Sequence, residues 1–132
     1  MKKQVSSGLK YTFVAHAIMM GIFALVYLFF PILWGDLTGC LSNRVPQVFR
    51  LFGTSLLGYG IGSLLAYRES TWEKVMIWTQ MACITHILFA VVILLALLFW
   101  ELPPIGWLYF VVTSGFAIAF NAFYPRKNPN SY

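Results

Sequence analysis

The sequence predicts an all-α fold, a bundle of four antiparallel transmembrane helices with both termini in the cytoplasm. Three observations carry this expectation. No charged residue occurs between Lys10 and Asp36, between Arg50 and Arg68, between Lys74 and Glu101, or between Glu101 and Arg126. Such stretches match the roughly 20 apolar residues a helix needs to cross a hydrocarbon core about 30 Å thick. Hydrophobic residues make up 60% of the 132-residue chain, so four spans and their connections use it up and residues 1–132 read as one membrane domain. The basic residues also alternate between connections. Lys2, Lys3, Lys10, Arg68, Lys74, Arg126 and Lys127 fall on one side, and only Arg44 and Arg50 on the other. An excess of Lys and Arg marks the cytoplasmic face, which places both ends inside a multi-pass protein of the cell membrane.

Span one is expected over Tyr11–Trp34, with Pro31 ending or kinking the helix because proline lacks an N–H and crowds the preceding turn. The connection Gly35–Gln47 contains Leu37-Thr38-Gly39-Cys40, a lipoprotein-like cleavage box. The apolar stretch before it is longer than the ~7–15-residue core of a signal peptide, and Asp36 intervenes, so an uncleaved span is expected. Span two is expected over Val48–Tyr67, with Pro46 suited to open its first turn. The charged connection Arg68–Ile77 offers Ser70 or Thr71 as a cap and Glu73 for the first turn of the next helix. Span three runs over Trp78–Trp100. Glu101-Leu102-Pro103-Pro104 is so short that spans three and four, the latter Ile105–Tyr124, must form a hairpin. Tyr11, Trp34, Trp78, Trp100, Trp107 and Tyr124 stand at span ends, where amphipathic rings favour the headgroup level.

Span two carries Thr54, Gly58, Gly62 and Ala66 at every fourth position. In lipid a stripe of small side chains lets another backbone approach closely and accumulate dispersion contacts. Packing within the bundle is the expected use. A homo-oligomer interface and a slot for a ligand are the alternatives.

Ionisable side chains inside a membrane are costly and point to function. His16 in span one and His86 in span three qualify. At ~1.5 Å per residue they lie roughly 7 and 12 Å from the inner interface. Tyr59, Gln80 and Asn121 fall in the same inner half, and His16, Tyr59, Gln80, His86 and Asn121 together form a candidate ligand-binding pocket. Three readings stay open: a b-type haem or a metal between His16 and His86, a shared polar site for a lipid-like or quinone-like molecule, and two unrelated structural histidines, each hydrogen-bonded inside the bundle. No Cys/His or carboxylate cluster supports a metal set, and the cofactor is left unknown.

A second group, Asp36, Arg44, Arg50 and Glu101, is expected at the outer surface, ordering the mouth of the bundle rather than stabilising it. Cys40 and Cys83 are expected on opposite sides and too far apart for a disulfide. The chain has no Cys-x-x-Cys, Gly-rich phosphate loop, Ser/His/Asp set or paired carboxylate, and its four acidic residues all lie outside the spans. Thiol-relay enzymes and ion-coupled transport are therefore not expected, and no catalytic residue is assigned. The net charge of +5 comes from residues at span ends rather than from a patch, so the expected partner is the lipid bilayer and not nucleic acid.

Arg50-Leu-Phe-Gly-Thr-Ser-Leu-Leu-Gly-Tyr-Gly-Ile-Gly, followed by a charged connection with Arg68 and Trp72, resembles the second helix of small DoxX-like membrane proteins. His86 in the third span and Leu102-Pro-Pro-Ile-Gly-Trp107 before the fourth extend the likeness over nearly the whole chain. The resemblance implies a four-helix membrane fold and a role as membrane partner of a sulfur-compound or quinone-linked oxidoreductase. The expected function is thus a non-enzymatic binder of a lipid-like or quinone-like ligand, or a subunit of a membrane complex. A haem protein using His16 and His86 and an assembly protein self-associating through the span-two stripe are the alternatives.

Overall fold

The computed structural model describes residues 3–39, 46–99 and 102–124. Cys40, Arg44, Trp100, Glu101 and the basic tail from residue 125 fall outside them. The described residues form five helices: α1 (Ser7–Phe29), α2 (Pro31–Thr38), α3 (Pro46–Arg68), α4 (Trp72–Phe99) and α5 (Gly106–Ala122). Three of them, α1, α3 and α4, are long and apolar enough to cross a membrane, and α5 is a shorter apolar helix.

Local chemistry sets the boundaries. Ser6 caps α1, its Oγ accepting from the Leu9 N–H at 3.3 Å. The break expected at Pro31 is present: α1 stops at Phe29, and a separate helix, α2, begins at Pro31. Proline has no N–H and disfavours helical geometry in the residue before it, and Phe30 accordingly sits at φ −126°, ψ 41°. Proline is at ease in a first turn, so Pro31, which ends α1, also starts α2, and Pro46 starts α3. Gly39 closes α2 in the left-handed region at φ 72°, where glycine carries no Cβ penalty. The third apolar stretch is longer as a helix than as a span. α4 starts at Trp72, because the Trp72 N–H is held by the Lys3 carbonyl at 2.8 Å and Glu73 stands in the first turn. α5 has 17 residues, about 25 Å at ~1.5 Å each.

The helices pack as two antiparallel pairs, α1 with α3 and α4 with α5, and the pairs touch each other more sparingly. The first pair closes on Gly53 and Gly60. A Cβ at Gly53 would lie 3.1 Å from the Ala24 carbonyl oxygen, and one at Gly60 would lie 3.4 Å from that of Ala17. Together with buried Leu56 and Ser63 they form the face of α3 that meets Leu9, Phe13, His16, Ala17, Met20 and Ala24 of α1. Close backbone approach of this kind holds apolar helices together where lipid removes the hydrophobic drive. The Thr54–Ala66 stripe is not this face. Thr54 and Gly58 are exposed, nothing lies within 4 Å of a Cβ built on Gly58, Gly62 lies under the Trp78 indole, and of the four only Ala66 is buried. The expectation that the whole stripe packs inside the bundle is corrected accordingly. The 53, 56, 60, 63 spacing is equally helical and lies on the face beside it.

One end of the bundle gathers the N-terminal arm, the α3–α4 connection and the end of α5. The Val5 N–H donates to the Ser70 carbonyl at 3.0 Å, and Tyr124 stacks edge-on to Trp72 at 5.0 Å between ring centroids. Lys74 pairs with Glu69 at 2.7 Å at this end, and the Lys10 ammonium lies 5.7 Å from the Tyr67 ring centre. The outward faces are aliphatic, for example Ile18, Leu25, Leu65, Leu88 and Ile118, each about half exposed or more.

Candidate functional site

His16 and His86 meet at the centre of the bundle. Their Nε2 atoms are 2.8 Å apart, a direct hydrogen bond between rings that stand at 89° to each other. Helix periodicity explains the meeting: His16 belongs to the buried α1 row, and His86 follows Thr79 and Ala82 on the buried face of α4. His16 Nδ1 lies 2.7 Å from Ser63 Oγ, which also accepts the Trp78 indole N–H at 3.2 Å. Phe116 and Phe120 of α5 close the pair, stacking on His86 at centroid distances of 5.3 and 6.3 Å and meeting His16 edge-on. Both histidines are buried, at 0% and 4% exposure. Among the described residues His86 Nδ1 has no hydrogen-bond partner, which is uncommon for a buried polar atom.

His86 also lines a cavity of about 250 Å³ between the two helix pairs. Met20, Phe23, Phe52, Leu56, Phe89 and Ile93 form its apolar wall. Thr113 stands beside His86, and Tyr27 and Tyr109 stand further along α1 and α5. The two phenol oxygens are 2.9 Å apart, and Trp34 donates its indole N–H to Tyr109 at 2.8 Å. The cavity is thus apolar along its length with polar groups towards each end, the composition of a site for a small amphipathic molecule. A larger furrow of about 440 Å³ runs outside the bundle between α1 and α5. Its Thr12 hydroxyl is already bonded to the Gly8 carbonyl at 3.0 Å, and among the described residues no buried polar side-chain atom along it lacks a partner.

The five expected pocket residues divide. His16 and His86 are in direct contact, and Tyr59 stands near them, its ring edge-on to His16 at 6.5 Å and its hydroxyl 3.1 Å from Thr85 Oγ1. Gln80 and Asn121 are not there, and their inclusion is corrected. Gln80 is exposed and donates to the Tyr124 hydroxyl at 2.8 Å, while Asn121 is exposed beside Ile87 and Ile118. Depth alone suggested them, and depth does not fix the direction of a side chain around a helix. Ser63, Trp78, Phe116, Phe120, Tyr27 and Tyr109 were not assigned to the site. Ser63 was findable, since it lies three residues from Gly60 on a face that repeats 53, 56, 60, 63. Of the outer charged group, Asp36 and Arg50 border one surface groove with no ion pair between them, and Arg44 and Glu101 lie outside the described residues.

A haem iron between the histidines would need a nitrogen on each face of the porphyrin. Two metal–nitrogen bonds of about 2 Å put those atoms about 4 Å apart with a macrocycle between them. The observed 2.8 Å contact, enclosed by Phe116 and Phe120, does not fit that group. Among the described residues no set of three or more His, Cys, Asp or Glu side chains could hold a metal ion. Comparison with protein families, curated proteins and solved structures finds no match to this chain.

Proposed function

We propose that this chain is a multi-pass integral membrane protein whose helices surround a binding cavity for a small, mainly apolar ligand of lipid-like or quinone-like character. The observation that carries the reading is His86 Nδ1, a buried polar atom without a partner on a residue that walls an apolar cavity. Buried polar groups without partners are destabilising, and they persist where a ligand can satisfy them. The aliphatic outer faces support membrane insertion, because exposed apolar surface on this scale is unfavourable in water. In this reading α5, extended by Ile105 and Phe123, is the fourth span. The end carrying Lys3, Lys10, Arg68 and Lys74 faces the cytoplasm.

The test is mass spectrometry of small molecules retained by protein purified gently into lipid nanodiscs, run beside Ile93→Trp, which fills the cavity. The wild type is expected to retain a molecule that the variant loses at unchanged thermal stability. No retained molecule, or equal retention by both, would overturn the cavity reading. A second reading rests on the open Gly58 side of α3, where a second copy of the chain could pack. Gly58→Leu would then disperse an oligomer in detergent, and an unchanged oligomeric state would exclude that reading.

A further inference from the structure

The hydrogen bonds around the histidine pair have a direction, and the direction selects the ligand's chemistry; this inference rests on the cavity reading above. Ser63 is fully buried, and its Oγ has two neighbours, Trp78 Nε1 at 3.2 Å and His16 Nδ1 at 2.7 Å. An indole N–H only donates, so Trp78 occupies a lone pair of Ser63 and leaves the hydroxyl hydrogen to be placed. Thr12, Thr54, Ser55, Thr79 and Thr113 return theirs to a carbonyl one turn back. Ser63 makes no such bond, and the acceptor within reach is His16 Nδ1.

The rest follows along the chain of contacts. A charged imidazolium is costly in an apolar interior, so both rings are taken as neutral, with one nitrogen donating and the other accepting. His16, accepting at Nδ1, carries its hydrogen on Nε2 and donates it to His86 Nε2 at 2.8 Å. His86, accepting at Nε2, carries its hydrogen on Nδ1. The opposite order would leave two buried groups unsatisfied, the Ser63 hydrogen and the His86 Nδ1 lone pair. The order given leaves one, the His86 Nδ1 hydrogen. One buried unsatisfied group fewer favours it by roughly tenfold or more.

We propose that His86 Nδ1 is a fixed hydrogen-bond donor to the cavity and that the ligand is an apolar molecule presenting a carbonyl oxygen, as a quinone or ketone does. The two ring nitrogens diverge, so the Nδ1–H points away from His16, and His86 is the member of the pair on the cavity wall. Thr113, the polar group beside His86, does not compete for the carbonyl, because it gives its hydrogen to the Tyr109 carbonyl at 2.9 Å. The Tyr27 and Tyr109 phenols, 2.9 Å from each other, stand further along the wall. Trp78, which touches no ligand, is a positioning residue: it sets the order through Ser63.

The experiment is heteronuclear NMR of protein carrying isotope-labelled histidine in lipid nanodiscs, titrated with an alkyl-substituted p-benzoquinone and with the matching alkylbenzene. His86 is expected as the Nδ1–H tautomer and His16 as the Nε2–H tautomer. The quinone should shift the His86 Nδ1 resonance and saturate at about tenfold lower concentration than the alkylbenzene. Trp78→Phe should convert the ordered pair to a mixture of tautomers. A His86 Nε2–H tautomer in the wild type would overturn the proposal, and so would equal titration by the two probes. Binding of neither probe, with the tautomers as stated, would overturn the cavity reading instead and take the ligand class with it.

Discussion

Replacing His16 by leucine is expected to cost more stability than replacing His86, and the double variant is expected to be more stable than His16→Leu alone. The ordered chain from Trp78 through Ser63 and His16 to His86 contains three hydrogen bonds and one unsatisfied hydrogen, on His86 Nδ1. His86→Leu removes one bond and exchanges that orphan for the His16 Nε2–H, so the number of unsatisfied groups is unchanged. His16→Leu removes two bonds and adds two orphans, the Ser63 hydrogen and the His86 Nε2 lone pair. A buried group left unsatisfied costs about 1–3 kcal/mol, but interhelical hydrogen bonds in lipid average nearer 0.6 kcal/mol. Ser63 can also turn to a carbonyl one turn back, which favours the low end. The working values are about 0.5 kcal/mol for His86→Leu, about 2 for His16→Leu and about 1 for the pair. Equilibrium unfolding in mixed micelles with increasing denaturing detergent measures all three. Equal losses for the two single variants, or a double variant at the sum of both, would refute the ordered chain.

Gly60→Leu should destabilise by about 1–3 kcal/mol, because its Cβ alone would lie 3.4 Å from the Ala17 carbonyl and 3.6 Å from Met20 Cβ, and the rest of the side chain has to part α1 from α3. Gly58→Leu should be neutral, or stabilising by up to about 1 kcal/mol through helix propensity, since nothing lies within 4 Å of its Cβ. Parallel unfolding curves check both, and equal losses would place the packing face wrongly. Gly62→Ala puts a methyl group on the Trp78 indole and should lift it from Ser63, which an unmoved indole N–H resonance would contradict. Purified protein should show no Soret band; a band would restore the haem reading of His16 and His86.

The helices were legible because their signals are strong: long charge-free stretches, and Pro31 and Pro46 at the starts of α2 and α3. Pro31 shows the limit. Its chemistry marks a break, but whether the chain beyond continues as the same span or turns into a separate helix depends on what the next turn packs against. Trp34 reaches Tyr109 across the bundle, and no local signal encodes that. The histidines were legible as candidates because both are rare polar residues at comparable depth, but that they meet is shown only by the fold. Gln80 and Asn121 satisfied the same depth criterion and point outward, so depth selects a layer and helix rotation selects the residue. Span two offered two faces of small residues one position apart. The face that packs is the one whose spacing also contains a large residue, Leu56, and a polar one, Ser63, matched by the spacing of His16, Ala17, Met20 and Ala24 on α1.

The cavity's position follows from how the two helix pairs meet. Near the histidines, Phe13, Trp78, Phe116 and Phe120 fill the space between the pairs, and the polar groups bond across it. Further along, α3 meets α4 through Phe52 and Phe89, with ring centroids 6.4 Å apart. Both rings line the cavity, so the pairs meet there through large side chains with the cavity behind them. Phe52 is 42% exposed and also lines the cavity, as does the half-buried Phe89, so these rings stand between the cavity and the outer face of the bundle. Side chains change rotamer far more readily than packed helices separate. In the cavity reading proposed above, a molecule dissolved in the bilayer would meet the Phe52 and Phe89 side chains, rather than the closed α1–α3 seam, on its way to His86.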